Sequence, residues 1–169
     1  MNKGEKRQAR ILALQVFFSY EQQKFEGDIN SVFDEIANFS NIDDEEKSEN
    51  LAFITGEINE IIKIDADSPS DLSEEVKNYA RELVKFAAEN QESIDATFSS
   101  STPNWSFDRL STVDRNLLRV AIAELDEKFD VPPKVVINEA IEIAKIFGTD
   151  NSPAFINGIL DRVKTEKGK

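Results

Sequence analysis

The stretch VPPKVVINEAIEIAKIFGTDNSPAFINGILD, residues 131–161, decides the fold. Its adjacent prolines, Pro132 and Pro133, end one helix and start the next, because proline fixes φ and is tolerated in a first helical turn. Residues 134–147 have helical periodicity, and Gly148 provides the stop. The apolar stripe of this helix consists of Ile137, Ala140, Ile141 and Ala144. Ser152 and Pro153 are predicted as the cap and first-turn proline of a last helix. The stretch therefore predicts two consecutive amphipathic helices.

The same periodicity extends over the rest of the chain. Glycine and proline are scarce, and the stretches between them have apolar residues three and four apart. Asp28 is a plausible cap for the second helix. Further helices are predicted at 5–23, 29–39, 45–64, 72–98 and 107–128, with breaks at 65–73 and 99–106. No segment alternates as a strand would, so the predicted fold class is all-α. The first helix has apolar residues on both sides, which predicts that it lies between two packing partners.

Composition excludes most catalytic chemistry. The chain has 169 residues with neither cysteine nor histidine, so disulfides, thiol nucleophiles, serine–histidine triads and imidazole-based metal sites are impossible. The acidic pairs Asp43–Asp44 and Glu45–Glu46 lie in a polar run and are interpreted as solvated surface. No glycine-rich phosphate loop occurs. We therefore expect no enzyme activity, no cofactor and no metal site. The absence of a signal-peptide core or a long apolar run predicts a soluble, cytoplasmic protein.

Charge is distributed unevenly along the chain. The formal net charge is −13, yet residues 1–20 carry a surplus of positive charge from Lys3, Lys6, Arg7 and Arg10. Residues 25–75 contain most of the negative surplus. A uniformly acidic protein would repel nucleic acid, whereas this one has a locally basic start. That start is a weak sign of binding to nucleic acid.

Three segments carry a resemblance to a known family. They are KRQARILALQVFF (6–18), NWSFDRLSTVDRNLLRVAIAEL (104–125) and the stretch from 131 to 161. Together they resemble the NusB family of bacterial transcription antitermination factors, whose pattern includes P-x-K-V-x-I-N-E-A-I-E-x-A-K-x-F-G followed by F-[IV]-N-G-[IV]-L-D. Residues 25–75 match this pattern poorly and are interpreted as an elaboration.

The resemblance implies an all-helical fold of two packed helical subdomains. We place them at 1–75, which includes the acidic insertion, and at 76–169, and we expect both to belong to one NusB-like domain. It also implies binding to the boxA element of ribosomal leader RNA together with NusE, a ribosomal protein of the small subunit. The resulting antitermination complex with RNA polymerase would read through terminators. Some relatives self-associate, so a homodimer stays open.

The resemblance assigns RNA-binding roles to matching positions. These residues are Lys3, Lys6, Arg7, Arg10, Gln15, Phe18, Lys145, Asn151, Ser152 and Phe155. The basic side chains would neutralise phosphates, and the helix start after residues 149–152 could receive another phosphate. Phe18 and Phe155 could stack on bases or pack in the core, and Gln15 could contact RNA or form an interhelical hydrogen bond. Trp105 is interpreted as an anchor for the linker rather than as a stacking platform.

Partner binding is assigned to two acids. Asp108 and Asp114 match positions that face the basic surface of NusE in the family, although acids are favoured at helix starts in any case. Two other functions stay open. One is an RNA-binding module of an rRNA methyltransferase, which would need a downstream α/β domain that this sequence lacks. The other is a protein-interaction scaffold without RNA binding.

Overall fold

A computed structural model describes residues 1–38 and 71–168 of the chain. The described helices are α1 (Lys3–Gln22), α2 (Ile29–Ala37), α3 (Glu74–Glu89), α4 (Gln91–Ser101), α5 (Thr112–Glu124), α6 (Pro133–Phe147) and α7 (Ser152–Lys167), with short 3-10 helices at Phe107–Arg109 and Glu127–Phe129. Within those ranges the chain forms no strand, and the predicted all-α class is confirmed. None of the described helices is long and apolar enough to cross a membrane.

The chain divides into an N-terminal unit, Met1–Arg81, and a C-terminal unit, Glu82–Lys169. In the N-terminal unit α1 packs against α2. Every residue from Leu12 to Ser19 is buried, so this segment of α1 is enclosed on all sides. That enclosure agrees with the apolar residues found on both sides of the helix in the sequence.

A capping hydrogen bond and an ion pair hold helix α2 in the N-terminal unit. The Asp28 side chain accepts a hydrogen bond from the Asn30 backbone N–H at 3.2 Å, which confirms the predicted cap and holds the pKa of Asp28 below its ordinary value. Arg81, at the end of this unit, forms an ion pair with Asp34 at 2.9 Å. Its guanidinium also lies 4.3 Å from the centre of the buried Phe33 ring. Residue 81 thereby joins α3 to α2.

The C-terminal unit is built around α5. Its residues from Asn116 to Glu124 are all buried, and α5 contacts α4, α6 and α7. Arg119 of α5 donates to both carboxylate oxygens of Asp95 on α4 at 2.9 Å. This bidentate pair is the geometry that guanidinium and carboxylate favour. It fixes the position of α4 against the central helix.

Two predicted helices differ from the structure. The segment 72–98 is not one helix but two, because the chain turns at Asn90, whose side-chain amide donates to the Phe86 carbonyl at 2.8 Å. An asparagine that hydrogen-bonds the preceding turn competes with the helix ladder. The segment 107–128 is α5 flanked by the two short 3-10 helices. The helix predicted at 45–64 lies outside the described residues.

Candidate nucleic-acid interface

The basic residues of the sequence lie at the start of α1. Asn2 caps this helix: its side chain accepts from the Glu5 backbone N–H at 3.0 Å, and the Glu5 carboxylate accepts from the Asn2 N–H at 2.6 Å. This reciprocal cap starts the helix at Lys3. Lys3, Lys6, Arg7 and Arg10 are therefore three or four residues apart on one side of a regular helix. We name these four residues the basic face.

Exposure falls steadily along the basic face. Lys3 is exposed, Lys6 and Arg7 are half-buried, and Arg10 is only 3% exposed. The ammonium of Lys6 lies 5.9 Å from the centre of the Tyr79 ring. Arg10, although predicted as an RNA-binding residue, is not available at the surface, because burial of α1 begins at Ala9. Three cations of the face remain accessible.

Two further RNA-binding candidates on α1 are inside the N-terminal unit's fold. Gln15 and Phe18 are both buried, within the enclosed segment of α1. A base stacks only on a ring whose face is open to solvent. Packing is therefore the role that the described structure supports for Phe18, and Gln15 presents no open surface for an RNA backbone.

A second cluster of candidates lies in the C-terminal unit, where α6 ends and α7 begins. Asn151 is exposed and occupies the N-cap position, without a capping hydrogen bond from its side chain. Ser152 is buried and is the first residue of the helix, so its prediction as the cap is wrong. Lys145 is exposed and pairs with Glu142 at 2.7 Å. We name residues 149–152 the α7 turn.

The α7 turn is held by a buried hydrogen-bond network. The hydroxyl of Ser152 donates to Asp114 at 2.9 Å and accepts from the Thr149 backbone N–H at 2.9 Å. A Cβ placed on Gly148 would lie 2.5 Å from the Cβ of Ser152 and 2.8 Å from the Ala144 carbonyl oxygen. Gly148 is thus required by close packing as well as by the helix stop. The backbone of the turn is fixed while Thr149, and the two residues after it, face solvent.

The two predicted partner-binding acids differ in exposure. Asp108 is exposed in the first short 3-10 helix. Asp114 is 8% exposed, and one of its carboxylate oxygens is buried without a hydrogen-bond partner while the other binds Ser152. The assignment of Asp114 to a partner surface is therefore corrected: the structure places its carboxylate behind the α7 turn. Its sequence position at a helix start could not distinguish these two environments.

Aromatic rings complete this part of the C-terminal unit. Phe155 is half-buried in the first turn of α7, and its ring centre lies 5.5 Å from that of Trp105. Trp105, which was predicted to anchor the linker, is 55% exposed. The signal for its exposure is its position within the loop at 103–106, whose other residues are exposed as well. Of the two roles considered for Trp105 from the sequence, the exposed indole favours the stacking platform over the linker anchor.

The described helices define an all-helical protein whose candidate surfaces are the basic face, the α7 turn and an exposed ring pair. The NusB family profile matches residues 54–165. The transcription antitermination protein NusB of Syntrophotalea carbinolica is 37% identical over 163 residues, which cover 96% of this chain and 94% of that protein. The chain belongs to the NusB family. The predicted family and its class, transcription antitermination factors, are confirmed. The profile match begins at residue 54, so the end of the supposed elaboration at 25–75 lies within the matched region.

Solved structures agree with this assignment. The structure of T. maritima NusB has a TM-score of 0.69 and 34% identity, covering 95% of this chain and 91% of that chain. A structure of antitermination factors NusB and NusE in complex with dsRNA contains a chain with a TM-score of 0.65 and 22% identity, covering 96% of this chain and 97% of that chain. At this lower identity the likeness concerns the fold.

Proposed function

We propose that this protein binds boxA-type RNA of ribosomal leader transcripts together with NusE in the cytoplasm. The RNA-bound pair then joins the antitermination complex of RNA polymerase and promotes read-through. Support comes from membership of the NusB family and from the solved complex of a NusB with NusE and RNA, whose chain has the same fold. The protein itself acts by binding rather than by catalysis.

The observation that carries this proposal is the accessible part of the basic face. Lys3, Lys6 and Arg7 occupy adjacent turns of a helix whose start is fixed by the Asn2 cap. Cationic side chains held in this way neutralise successive phosphates and release counterions. The rest of the chain is strongly acidic, so this face is the part of the N-terminal unit to which RNA is attracted.

A protein partner supplies what this small face lacks. Three accessible cations give weak binding when the net charge of the chain is −13. A basic partner such as NusE contributes further positive charge and is attracted by exposed acids such as Asp108. RNA affinity is therefore expected to depend on NusE.

The test is to measure binding of boxA-type RNA to the protein with and without NusE. We expect weak binding by the protein alone, several-fold tighter binding with NusE, and weaker binding of a scrambled RNA in both cases. Equal affinity for boxA and scrambled RNA would remove sequence specificity from the proposal. Binding of NusE without any RNA binding would instead identify a protein-interaction scaffold.

A charge-matched pair of variants links the binding to the basic face. Replacing Lys3 and Arg7 together by Gln should reduce the dependence of log K on log salt by about one to two units. The control replaces Lys85 and Lys134 by Gln, because both are exposed in the C-terminal unit and carry the same total charge. If the control lowered affinity and salt dependence equally, general charge rather than this face would explain the binding.

A further inference from the structure

Trp105 is exposed to an extent that packing does not explain. Among the described residues, Trp105 and Val135 are the only large hydrophobic side chains in the exposed class. An indole that anchors a loop is normally buried, since burying its apolar area stabilises the fold. Trp105 instead contacts Phe155 with a ring angle of 54° and leaves more than half of its surface to solvent.

The backbone beneath the indole is firmly held. The Trp105 backbone N–H donates to the Thr102 carbonyl at 2.9 Å. Thr102 is buried, and its hydroxyl donates to the Phe98 carbonyl at 2.8 Å. On the other side of Trp105, the Phe107 ring packs edge-on against Phe98 at 4.7 Å. The loop is thus anchored by its neighbours, and it presents the indole rather than depending on it.

We propose that Trp105 and Phe155 form a two-ring platform on which an unpaired nucleobase stacks. This inference rests on the proposed function and adds a contact to it. More than half of the surface of Trp105 is exposed beside the Phe155 ring, and base stacking on an aromatic ring needs no particular base identity. Phe155 lies one turn from the exposed Asn151 and in the first turn of α7, so the ring pair adjoins the exposed residues of the α7 turn.

The surroundings fit a nucleobase better than a protein partner. The loop residues next to the indole, Pro103, Asn104 and Ser106, are exposed, and two of them are polar. Protein interfaces have an apolar centre that is much larger than one ring pair. Two rings surrounded by polar groups match the size and the polar edge of a single base.

Intrinsic fluorescence provides the direct test, since Trp105 is the only tryptophan of the chain. Titration with boxA-type RNA should quench its emission with the same midpoint as an independent binding measurement. A series of RNAs with one abasic site each should include one position that removes the quenching and weakens binding about fivefold or more. The measurement is made on the native protein, so it does not depend on any variant folding.

Substitutions distinguish stacking from apolar contact. Trp105→Leu keeps apolar bulk without a ring and should weaken RNA binding about fivefold or more, whereas Trp105→Phe should lose less. On the RNA with the sensitive abasic site, Trp105→Leu and the native protein should bind equally. Val135→Ala is the matched control, because it removes another exposed apolar side chain and should leave RNA affinity unchanged. Circular dichroism and thermal melting verify the fold of each variant.

Three results would overturn the platform. If RNA binds without quenching and Trp105→Leu binds it normally, the platform is wrong although the proposed function stands. If native protein binds no boxA-type RNA with or without NusE, the proposed function and the platform both fail. If NusE alone changes the emission and Trp105→Leu weakens only NusE binding, the ring pair belongs to a protein interface.

Discussion

The basic face of α1 and the α7 turn are opposite kinds of surface. The basic face presents long cationic side chains whose exposure falls from Lys3 to Arg10. The α7 turn presents short side chains on a backbone fixed by Ser152 and Gly148. Electrostatic attraction acts over several ångströms and tolerates movement of the side chains. A turn contributes to binding only if its groups are placed accurately enough to form hydrogen bonds. Under the proposed function, the first surface would supply affinity and the second would supply shape.

The strongest test of this contrast is Gly148→Ala. The added methyl group would overlap Ser152 and the Ala144 carbonyl, so we expect a loss of about 2–3 kcal/mol in the free energy of unfolding. Urea denaturation measures it. The control is Gly158→Ala in α7, where a Cβ meets nothing within 4 Å and stability should rise by up to about 1 kcal/mol. Equal stability of the two variants would show that the turn readily adjusts.

The buried network behind the α7 turn gives the next effect. Asp114→Ala and Ser152→Ala should each cost about 1–3 kcal/mol, because each leaves a buried polar partner without its hydrogen bond. Their double variant should show a coupling energy of at least about 0.5 kcal/mol. Asp114→Lys would put an ammonium into a buried position, and we expect loss of the fold rather than of NusE binding alone. Additive effects in the cycle would contradict the network.

Variants of Arg7 and Arg10 distinguish effects on RNA binding from effects on folding within the basic face. Arg10→Ala removes a buried side chain and should lower stability by about 1–3 kcal/mol. Arg7→Ala should change stability by no more than about 0.5 kcal/mol and should reduce the salt dependence of RNA binding by about one unit. Thermal melting of both variants measures the change in stability, and salt titration of both measures the change in the salt dependence of RNA binding. If Arg10→Ala melts normally but loses RNA affinity, the basic face continues further than the structure indicates.

The smallest expected effect concerns Asp108. Because it is exposed, Asp108→Lys should leave the melting temperature unchanged and weaken NusE binding about fivefold through repulsion of like charges. The control is Asp126→Lys, a half-buried acid that caps the second short 3-10 helix. It should lower stability without a specific loss of NusE affinity. Normal NusE binding by the Asp108 variant would exclude this acid from the partner surface.

The fold was predictable where the sequence carries explicit stops. Predicted helices at 5–23, 29–39 and 134–147 correspond to Lys3–Gln22, Ile29–Ala37 and Pro133–Phe147, because prolines, glycines and a capping aspartate mark their ends. The break at Asn90 was missed since the apolar periodicity continues through it. At Asn90 the backbone leaves helical geometry, with φ −112° and ψ 17°, and apolar spacing does not encode that local change.

The sequence indicated which residue types form the candidate site. It indicated less well which of these residues are exposed. The placement of the basic residues on one side of α1 can be predicted from their spacing alone. The burial of Arg10, Gln15 and Phe18 depends on where α1 enters the core. The residue pattern of one helix does not indicate that position. Asp114 and Ser152 are far apart in sequence yet share a hydrogen bond, so only the packing of α5 against α7 reveals their common role. Exposed Trp105 reverses the usual expectation for a tryptophan.

The close approach at Gly148 also has an evolutionary consequence. A side chain at position 148 would overlap the Ser152 side chain and the Ala144 carbonyl oxygen, so a lineage that keeps this backbone keeps glycine at 148. A smaller residue at 152 would not relieve the contact with the carbonyl. The three positions between 148 and 152 all face solvent and are under no such steric restriction. Substitutions can therefore accumulate at 149–151 and alter what the turn recognises, while the two flanking positions stay small and preserve its shape.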